Sequence, residues 1–160
     1  MKGFLKVILV FFFFFFFVLI GSELVRWNNY KEMMYKEIEI ASLDAMEVTV
    51  DDKLKKDHIL YIEDTELTKE IVEKLIKKNV NVSFKNSSVI RSNHFIHEIR
   101  ISRFEIFPGQ YHLTGNIPVQ DKVPEVIVEG EFDLIPFIAR TNDFYFKTKI
   151  ENRTEAIFTD

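Results

Sequence analysis

An apolar segment over residues 4–25, which contains seven consecutive phenylalanines, constrains this chain more than any other feature. Its charge-free part, residues 7–22, would be about 24 Å long as a helix, against about 30 Å for the hydrocarbon core of a bilayer. Lys6 can extend to the headgroups at one end, and Trp27 suits the opposite interface. We therefore expect a transmembrane helix over residues 4–25. The expected membrane-span residues include Phe11, Phe12, Phe13, Phe14, Phe15, Phe16 and Phe17, some of which must face lipid because they cover every side of the helix.

Such a segment is either kept as a signal anchor or removed as a signal peptide. Cleavage requires small residues around the site, in an A-x-A-like pattern. A cut after Gly21 would place Leu19 three residues from the scissile bond, and a cut after Ser22 would place Ile20 there. Because both are bulky, we expect an uncleaved anchor, with a secreted, processed protein as the alternative.

The charges around the segment predict its orientation. Lys2 and Lys6 precede it, whereas charges of both signs follow it. The excess of basic residues on one side favours a cytoplasmic N-terminus. We therefore expect a basic cytoplasmic tail over residues 1–6, a single pass through the cell membrane, and an extracellular domain over residues 26–160.

The helical pattern continues beyond the apolar segment. Apolar and small residues recur every three or four positions, which is typical of one face of a helix. The expected packing face consists of Trp27, Tyr30, Met34, Ile38, Ala41, Ala45 and Val48. The small side chains along it allow another element to approach closely. We expect one helix over residues 4–50, whose face packs either on the domain's own sheet or on a partner subunit.

A second, shorter helix is expected after a charged break. Residues 58–62 suit a short strand or an ordered loop, and Asp64 or Thr65 is a suitable N-cap. The inward-facing residues expected in this helix are Leu67, Ile71, Leu75 and Ile76, with Asn79 as its end.

From residue 80 onward the period changes from 3.6 to 2, which indicates β-strands. Strands are expected over residues 80–84, 95–106 and 126–134, with one or two more between 143 and 158. The alternation changes phase near Ser102, which predicts a bulge there. Pro108 and Gly109 predict a hairpin turn. The chain is thus expected to be α+β, with an antiparallel sheet of about four to six strands.

Composition argues against several classes of partner and site. The chain has no cysteine and a formal net charge of −4, with no basic stripe. It therefore lacks disulfides and thiolate zinc sites, and nucleic acid is not an expected partner. Apart from membrane lipid, no cofactor or small-molecule ligand is indicated.

Candidate catalytic or metal-binding groups have simpler explanations. On a strand His94 and His97 point to opposite faces, although His112 across the predicted hairpin would leave a two-ligand site conceivable. The alternating carboxylates of residues 125–133 suit a solvent-facing side of a sheet. With no nucleophile elbow and no glycine-rich phosphate loop, we expect a protein that is not an enzyme.

The layout, an N-terminal span that runs into an amphipathic helix and then a sheet, resembles type IV pilin-like proteins. Lys2, Gly3 and Phe4 are similar to the start of the pilin processing signal, although Ile8 stands where those pilins carry glutamate. The helix segment IASLDAM (residues 40–46) resembles the post-membrane segment of TadE-like pseudopilins. The segment VPEVIVEG (residues 123–130) resembles a strand of related Gram-positive envelope proteins.

This resemblance implies a non-enzymatic, single-pass component of a pilus or secretion assembly. Its partners would be other membrane or pilin-like subunits that contact the N-terminal helix. The alternative is a membrane-anchored module that binds an extracellular ligand or protein through its sheet edge or loops.

Overall fold

The computed structural model describes residues 2–80, 84–85, 88–90, 96–136 and 146–157 of the chain. Helix α1 (Lys2–Thr49) is followed by a five-residue helix α2 (Asp52–Lys56) and by helix α3 (Thr65–Val80). Helices α1 and α3 pack side by side against an antiparallel sheet. The predicted α+β fold, with its long N-terminal helix and second helix before the sheet, is therefore confirmed.

Helix α1 is a single element of 48 residues, about 70 Å long at 1.5 Å per residue. No proline interrupts it, and its first half is apolar on every side. Its second half is amphipathic and contacts α3, β6 and β7. The helix ends at Thr49, where Val50 forms a bridge with Ile62. The membrane-type segment and the domain thus share one continuous helix.

The connection between α1 and α3 is ordered. Residues 58–62 form a loop whose regular pairing is limited to the bridge at Ile62. Asp64 caps α3, because its side chain accepts a hydrogen bond from the backbone N–H of Leu67 at 2.9 Å. Thr68, Val72 and Ile76 form the buried face of α3. The predicted inward position of Leu67 is wrong, because this side chain lies in the exposed first turn.

The main sheet has five antiparallel strands in the order β1-β2-β3-β6-β7, and a separate sheet has the order β4-β5. The strands are β1 (Phe84–Lys85), β2 (Ser88–Ile90), β3 (Ile96–Phe107), β4 (Gln110–Thr114), β5 (Ile117–Lys122), β6 (Glu125–Leu134) and β7 (Phe146–Glu155). Of the expected strand positions, residues 81–83, Phe95, 143–145 and Phe158 lie outside the described residues, and Val80 belongs to α3.

Strand β6 lies between β3 and the edge strand β7 and pairs with both along its whole length. The register between β3 and β6 shifts between Ile101 and Arg103, which leaves Ser102 as the extra residue of a bulge. The bulge predicted there is confirmed. The strands expected near residues 143–148 and 154–158 are one continuous strand, β7, within the described residues.

The core lies between the helices and the inner face of the sheet. Alternate residues of β6 point toward α1 and α3, as a period of two requires. The fully buried core side chains of the sheet include Ile99, Val126, Val128, Phe132, Leu134 and Ile150. The helices contribute Met34, Ile38, Ala41, Ala45, Met46, Val72 and Ile76. This apolar layer holds the domain together without disulfides.

Strands β4 and β5 form a hairpin with its own two-stranded sheet. The predicted hairpin turn at Pro108 and Gly109 is wrong, because β3 pairs with β2 and β6 and not with β4. Gly109 has a φ of 87°, and a Cβ there would approach the carbonyl oxygen of Leu60 at 2.9 Å. The positive φ lets the chain leave the main sheet beside the 58–62 loop.

The side chain of Gln120 attaches the hairpin to that loop. Its Oε1 accepts a hydrogen bond from the backbone N–H of Leu60 at 2.6 Å, and its Nε2 donates to the carbonyl of Leu60 at 3.0 Å. The ring of Tyr111 meets that of Tyr61 edge-on, with centroids 5.6 Å apart. A two-stranded hairpin is marginally stable by itself, so these contacts maintain its position.

Replacing Gln120 with alanine should therefore loosen the hairpin while leaving the main sheet intact. We expect a loss of about 1–2 kcal/mol, because backbone groups of Leu60 lose their partner. Hydrogen exchange should show faster amide exchange in β4 and β5 alone. Gln110→Ala, which removes an exposed side chain of the same type from the same hairpin, is the control. Unchanged exchange in the Gln120 variant would contradict the anchoring role.

Candidate membrane-anchoring helix

The N-terminal half of α1 is bare. The phenylalanine side chains Phe11–Phe17 are between 51% and 71% exposed, on all sides of the helix. The helix is long and apolar enough to cross a membrane, and the chain buries none of the most apolar stretch. A soluble protein rarely exposes so large an apolar surface. The seven phenylalanines thus form a surface that suits lipid or other apolar helices.

The C-terminal half of α1 packs on the protein's own domain. Of the seven residues expected on the packing face, Met34, Ile38, Ala41 and Ala45 are buried, and Trp27 and Tyr30 are partly buried against the same core. Val48 does not take part in this packing, because its side chain is 72% exposed. The buried face turns instead toward Met46 and Val50, which join the core together with Leu60 and Ile62.

Small residues permit the close approach of α3 to this face. Ala41, Ser42 and Ala45 have no exposed surface. The hydroxyl of Thr68 on α3 donates to Thr49 Oγ1 at 2.9 Å, and Thr49 in turn donates to the carbonyl of Ala45 at 2.8 Å. At these small residues the face therefore packs within the chain but against helix α3, whereas the expectation named the domain's own sheet or a partner subunit.

Polar contacts fix α1 to the strands next to it. Arg26 Nη2 donates to the carbonyl of Ile135 at 2.6 Å, just beyond the end of β6. Trp27 Nε1 donates to Thr148 Oγ1 on β7 at 2.6 Å. Because these bonds are made from neighbouring positions of one helical turn to two different parts of the sheet, they restrict rotation of the helix about its own axis.

A buried ion pair lies where the apolar segment ends. Glu23 is 8% exposed, and its carboxylate lies 2.8 Å from the guanidinium of Arg26. Burial raises the pKa of Tyr30 one turn further along, and the nearby charge of Arg26 partly offsets this. In the sequence, Glu23 is only one of the charges of both signs that follow the apolar segment. Its i,i+3 spacing from Arg26 is the signal that identifies the pair.

The outer face of the sheet is charged, as the alternation along β6 predicts, but two of its carboxylates are not in water. Asp133 and Glu125 are nearly buried. Arg100 Nη2 contacts Asp133 at 2.9 Å, and Arg153 Nη2 contacts Glu125 at 2.9 Å. The expectation that all the carboxylates of this strand face solvent is therefore wrong for these two, because arginines of the neighbouring strands cover them.

Exposed charges on the same face pair both between strands and along one strand. Arg103 contacts Glu129 at 3.1 Å and Glu105 at 2.6 Å. The hydrogen bond from Arg103 lowers the pKa of Glu105. Since both groups are exposed, such pairs contribute little to stability. This arrangement is that of a solvated surface and offers no acid–base couple.

The strands that carry His97 and His112 are not paired with each other. His112 lies on β4 opposite Val119, and its Nδ1 is 2.9 Å from Asp121 Oδ1 on the exposed hairpin. His97 belongs to β3, which pairs elsewhere, so the suggested pairing of these two across a hairpin is wrong. His94 lies outside the described residues. Among the residues that the structure describes, no three His, Cys, Asp or Glu side chains converge to form a metal site.

No protein-family model matches this sequence, and comparison with curated proteins and with solved structures finds no significant match. The geometry of α1 and the domain attached to it therefore supplies the basis for assigning a function.

Proposed function

We propose that this chain is a non-enzymatic, single-pass envelope protein that works as a pseudopilin-like or secretion-assembly subunit. Its N-terminus would be cytoplasmic, its apolar helix would span the cell membrane, and its domain would be extracellular. The observation that carries the proposal is the continuity of α1: one 48-residue helix is bare and apolar in its first half and packed in its second. A subunit of this shape can present the same rigid helix both to lipid and to neighbouring subunits.

The polar contacts of α1 support a role in assembly beyond simple anchoring. A flexible linker would be enough to tether a domain to a membrane. Here Arg26 and Trp27 bond to the sheet within two residues of each other. A movement of the span in the membrane would therefore rotate the whole domain. That coupling is what a subunit needs if helix contacts in the membrane are to set the arrangement of domains outside it.

The phenylalanine run is the candidate contact surface. Lipid tails discriminate little among apolar side chains, whereas helix–helix contacts depend on side-chain shape. Aromatic pairs contribute about 0.5–1.5 kcal/mol each beyond buried area. Seven bare rings on all sides of α1 can form several such pairs with neighbouring helices, while the remaining rings face lipid.

A leucine exchange tests this proposal. Replacing Phe11–Phe17 with leucine should preserve membrane insertion but reduce assembly, because leucine is equally apolar but cannot form ring pairs. Insertion is measured by flotation of vesicles, and assembly by cross-linking between membrane-embedded chains. The control replaces the non-aromatic residues Val7, Ile8 and Val10 with leucine and should change neither readout. Cross-linking that is equally strong in all variants would contradict the role of the rings and favour a simple anchor.

The alternative function is that of a membrane-anchored binding module, and the β4-β5 hairpin favours it. Leu113 and Ile117 near its tip are 65% and 69% exposed. The hairpin adjoins the C-terminal end of α1 through Leu60 and Ile62, so it lies at the end of the domain opposite the span. If the hairpin binds a ligand, the double substitution Leu113→Thr and Ile117→Thr would abolish ligand binding without affecting cross-linking through α1.

A further inference from the structure

At the turn of α1 around Glu23, one side of the helix is covered by the rest of the chain and the other side is exposed. The chain covers Glu23, and it partly covers Leu19 one turn earlier. On the other side, Leu24 and Val25 are 58% and 62% exposed. Residues 19–25 span only about 9 Å along the helix axis. The bare apolar side and the domain-covered side therefore lie at the same height along α1.

The end of the sheet lies on the covered side. Ile135 follows β6 directly and accepts the hydrogen bond of Arg26, which itself pairs with Glu23. Phe146, at the start of β7, is paired with Leu134 at the end of β6. The end of β6 and the start of β7 thus meet α1 close to Glu23, through the bonds of Arg26 to Ile135 and of Trp27 to Thr148.

The length of the apolar segment determines how deep this turn lies in a membrane. The charge-free residues 7–22 supply about 24 Å of helix, which is shorter than the roughly 30 Å of a typical hydrocarbon core. The difference of about 6 Å corresponds to about four more residues at 1.5 Å each. Extension to Val25 supplies three of them and covers the bare side chains of Leu24 and Val25, and one more residue at the Lys6 end completes the span. Lipid would then reach Val25 on one side of the helix while the domain already covers Glu23 on the other.

We propose that the membrane-proximal end of the domain, where Ile135 accepts the hydrogen bond of Arg26 and Phe146 begins β7, lies within the headgroup layer of the bilayer. The partner of this surface is the boundary between lipid headgroups and acyl chains. The inference rests on the proposed insertion of α1. In this position Arg26 neutralises Glu23 at a depth where an unpaired charge is costly, and Trp27 lies in the layer that tryptophan prefers.

The arrangement also fixes how the domain stands on the membrane. A domain connected only by its helix could tilt together with the span. A second contact, to one side of the helix, limits both tilt and rotation. The domain would then be presented in one orientation, with the β4-β5 hairpin directed away from the bilayer.

Single-cysteine spin labelling tests the proposal on the full chain, since the sequence contains no cysteine. The variants are Phe14→Cys in the span, Val25→Cys on the bare side of the turn, Lys147→Cys near the start of β7, and Asn116→Cys in the turn of the hairpin. Lys147 and Asn116 are both exposed, so labels there should not disturb folding. Each variant is reconstituted in phosphatidylcholine vesicles, and nitroxide collisions with oxygen and with a water-soluble nickel chelate are compared.

We expect oxygen collisions to exceed nickel collisions severalfold at Phe14 and Val25, and the reverse at Asn116. At Lys147 the ratio of oxygen to nickel collisions should lie between those at Val25 and Asn116, with nickel collisions reduced severalfold relative to Asn116. Nickel access at Lys147 equal to that at Asn116, with Phe14 and Val25 in lipid, would overturn the headgroup contact alone. Free nickel access at Phe14 would overturn membrane insertion itself, and the contact with it.

Trp27 provides a label-free check, because it is the sole tryptophan of the chain. Its fluorescence should be quenched more strongly by lipids that carry a quencher at the headgroup than by lipids brominated near the acyl terminus. Equal, weak quenching by both lipids would place this turn outside the bilayer and overturn the proposal.

Discussion

Replacing Gly130 with alanine should destabilise the domain by about 3 kcal/mol, the upper part of the range for overpacked sites. Gly130 lies at the middle of β6, where a Cβ atom would meet the backbone oxygen of Arg100 at 2.3 Å and the Cα of Ile101 at 3.1 Å. Both are backbone atoms of β3 beside the bulge, so no side-chain rotation can relieve the clash. A loss of this size is a large share of the 5–15 kcal/mol of a typical domain.

Urea unfolding of the full chain in detergent micelles measures the effect. The fluorescence of Trp27, which bonds to Thr148, reports whether helix and sheet remain together. Gly115→Asn is the matched control: nothing lies within 4 Å of a Cβ at Gly115, and its φ of 69° is one that asparagine tolerates. If Gly130→Ala and Gly115→Asn unfold at the same urea concentration, the close approach of β3 and β6 at this point is refuted.

Ala45→Glu should cost about 3–5 kcal/mol, since it places an unpaired charge in a buried site. Ala45 has no exposed surface, and its carbonyl accepts the hydrogen bond of Thr49 where α1 meets α3. Because this face packs inside the chain, the expected result is a domain that no longer folds cooperatively. Circular dichroism of the purified protein should show a lower and broader melting transition.

Val48→Glu is the matched control for Ala45→Glu. It introduces the same charge three residues away on the same helix, at a side chain that is 72% exposed. Surface substitutions of this kind usually change stability by less than about 0.5 kcal/mol. A loss of stability at Val48 as large as that at Ala45 would show that both sides of this turn are packed, contrary to the structure.

Ala45 and Val48 show which buried residues a helical sequence pattern can predict and which it cannot. The period of three and four along α1 correctly identified Met34, Ile38, Ala41 and Ala45 as buried. It failed at Val48 because the side of a helix that is buried depends on which elements of the fold pack against it. Near its end, the loop that carries Leu60 and Ile62 approaches from the side of Met46. Helical periodicity contains no information about that approach.

The sheet illustrates the same limit at longer range. The change of phase near Ser102 predicted the bulge, because a bulge is a local property of one strand. The partner of β3 could not be read in this way. Pro108 and Gly109 are typical turn residues, yet β3 is paired on both sides by β2 and β6, and the following chain forms a separate hairpin. Strand pairing depends on residues distant in sequence, which a single sequence does not identify.

For the candidate site, too, one part could be predicted from the sequence and another part could not. The order of residues identified the bare apolar helix, since seven consecutive phenylalanines cover every side of a helix and a small domain cannot bury all of those sides. The contacts of Arg26 with Ile135 and of Trp27 with Thr148 join residues more than 100 positions apart. Those contacts, which give the helix its fixed rotation on the sheet, became apparent only from the structure.

The position of Tyr35 affects how copies of this protein meet one another. Strand β7 is at the edge of the main sheet, and an open edge can add a strand from another chain. The hydroxyl of Tyr35 accepts from the N–H of Glu151 at 3.3 Å and donates to the carbonyl of Lys149 at 3.4 Å. If copies of the protein are crowded in the plane of a membrane, the β7 edges of their sheets would often collide. With these two backbone groups already occupied, the middle of β7 is less available for pairing, and crowding should convert the protein into β-linked aggregates less readily than a fully open edge would allow.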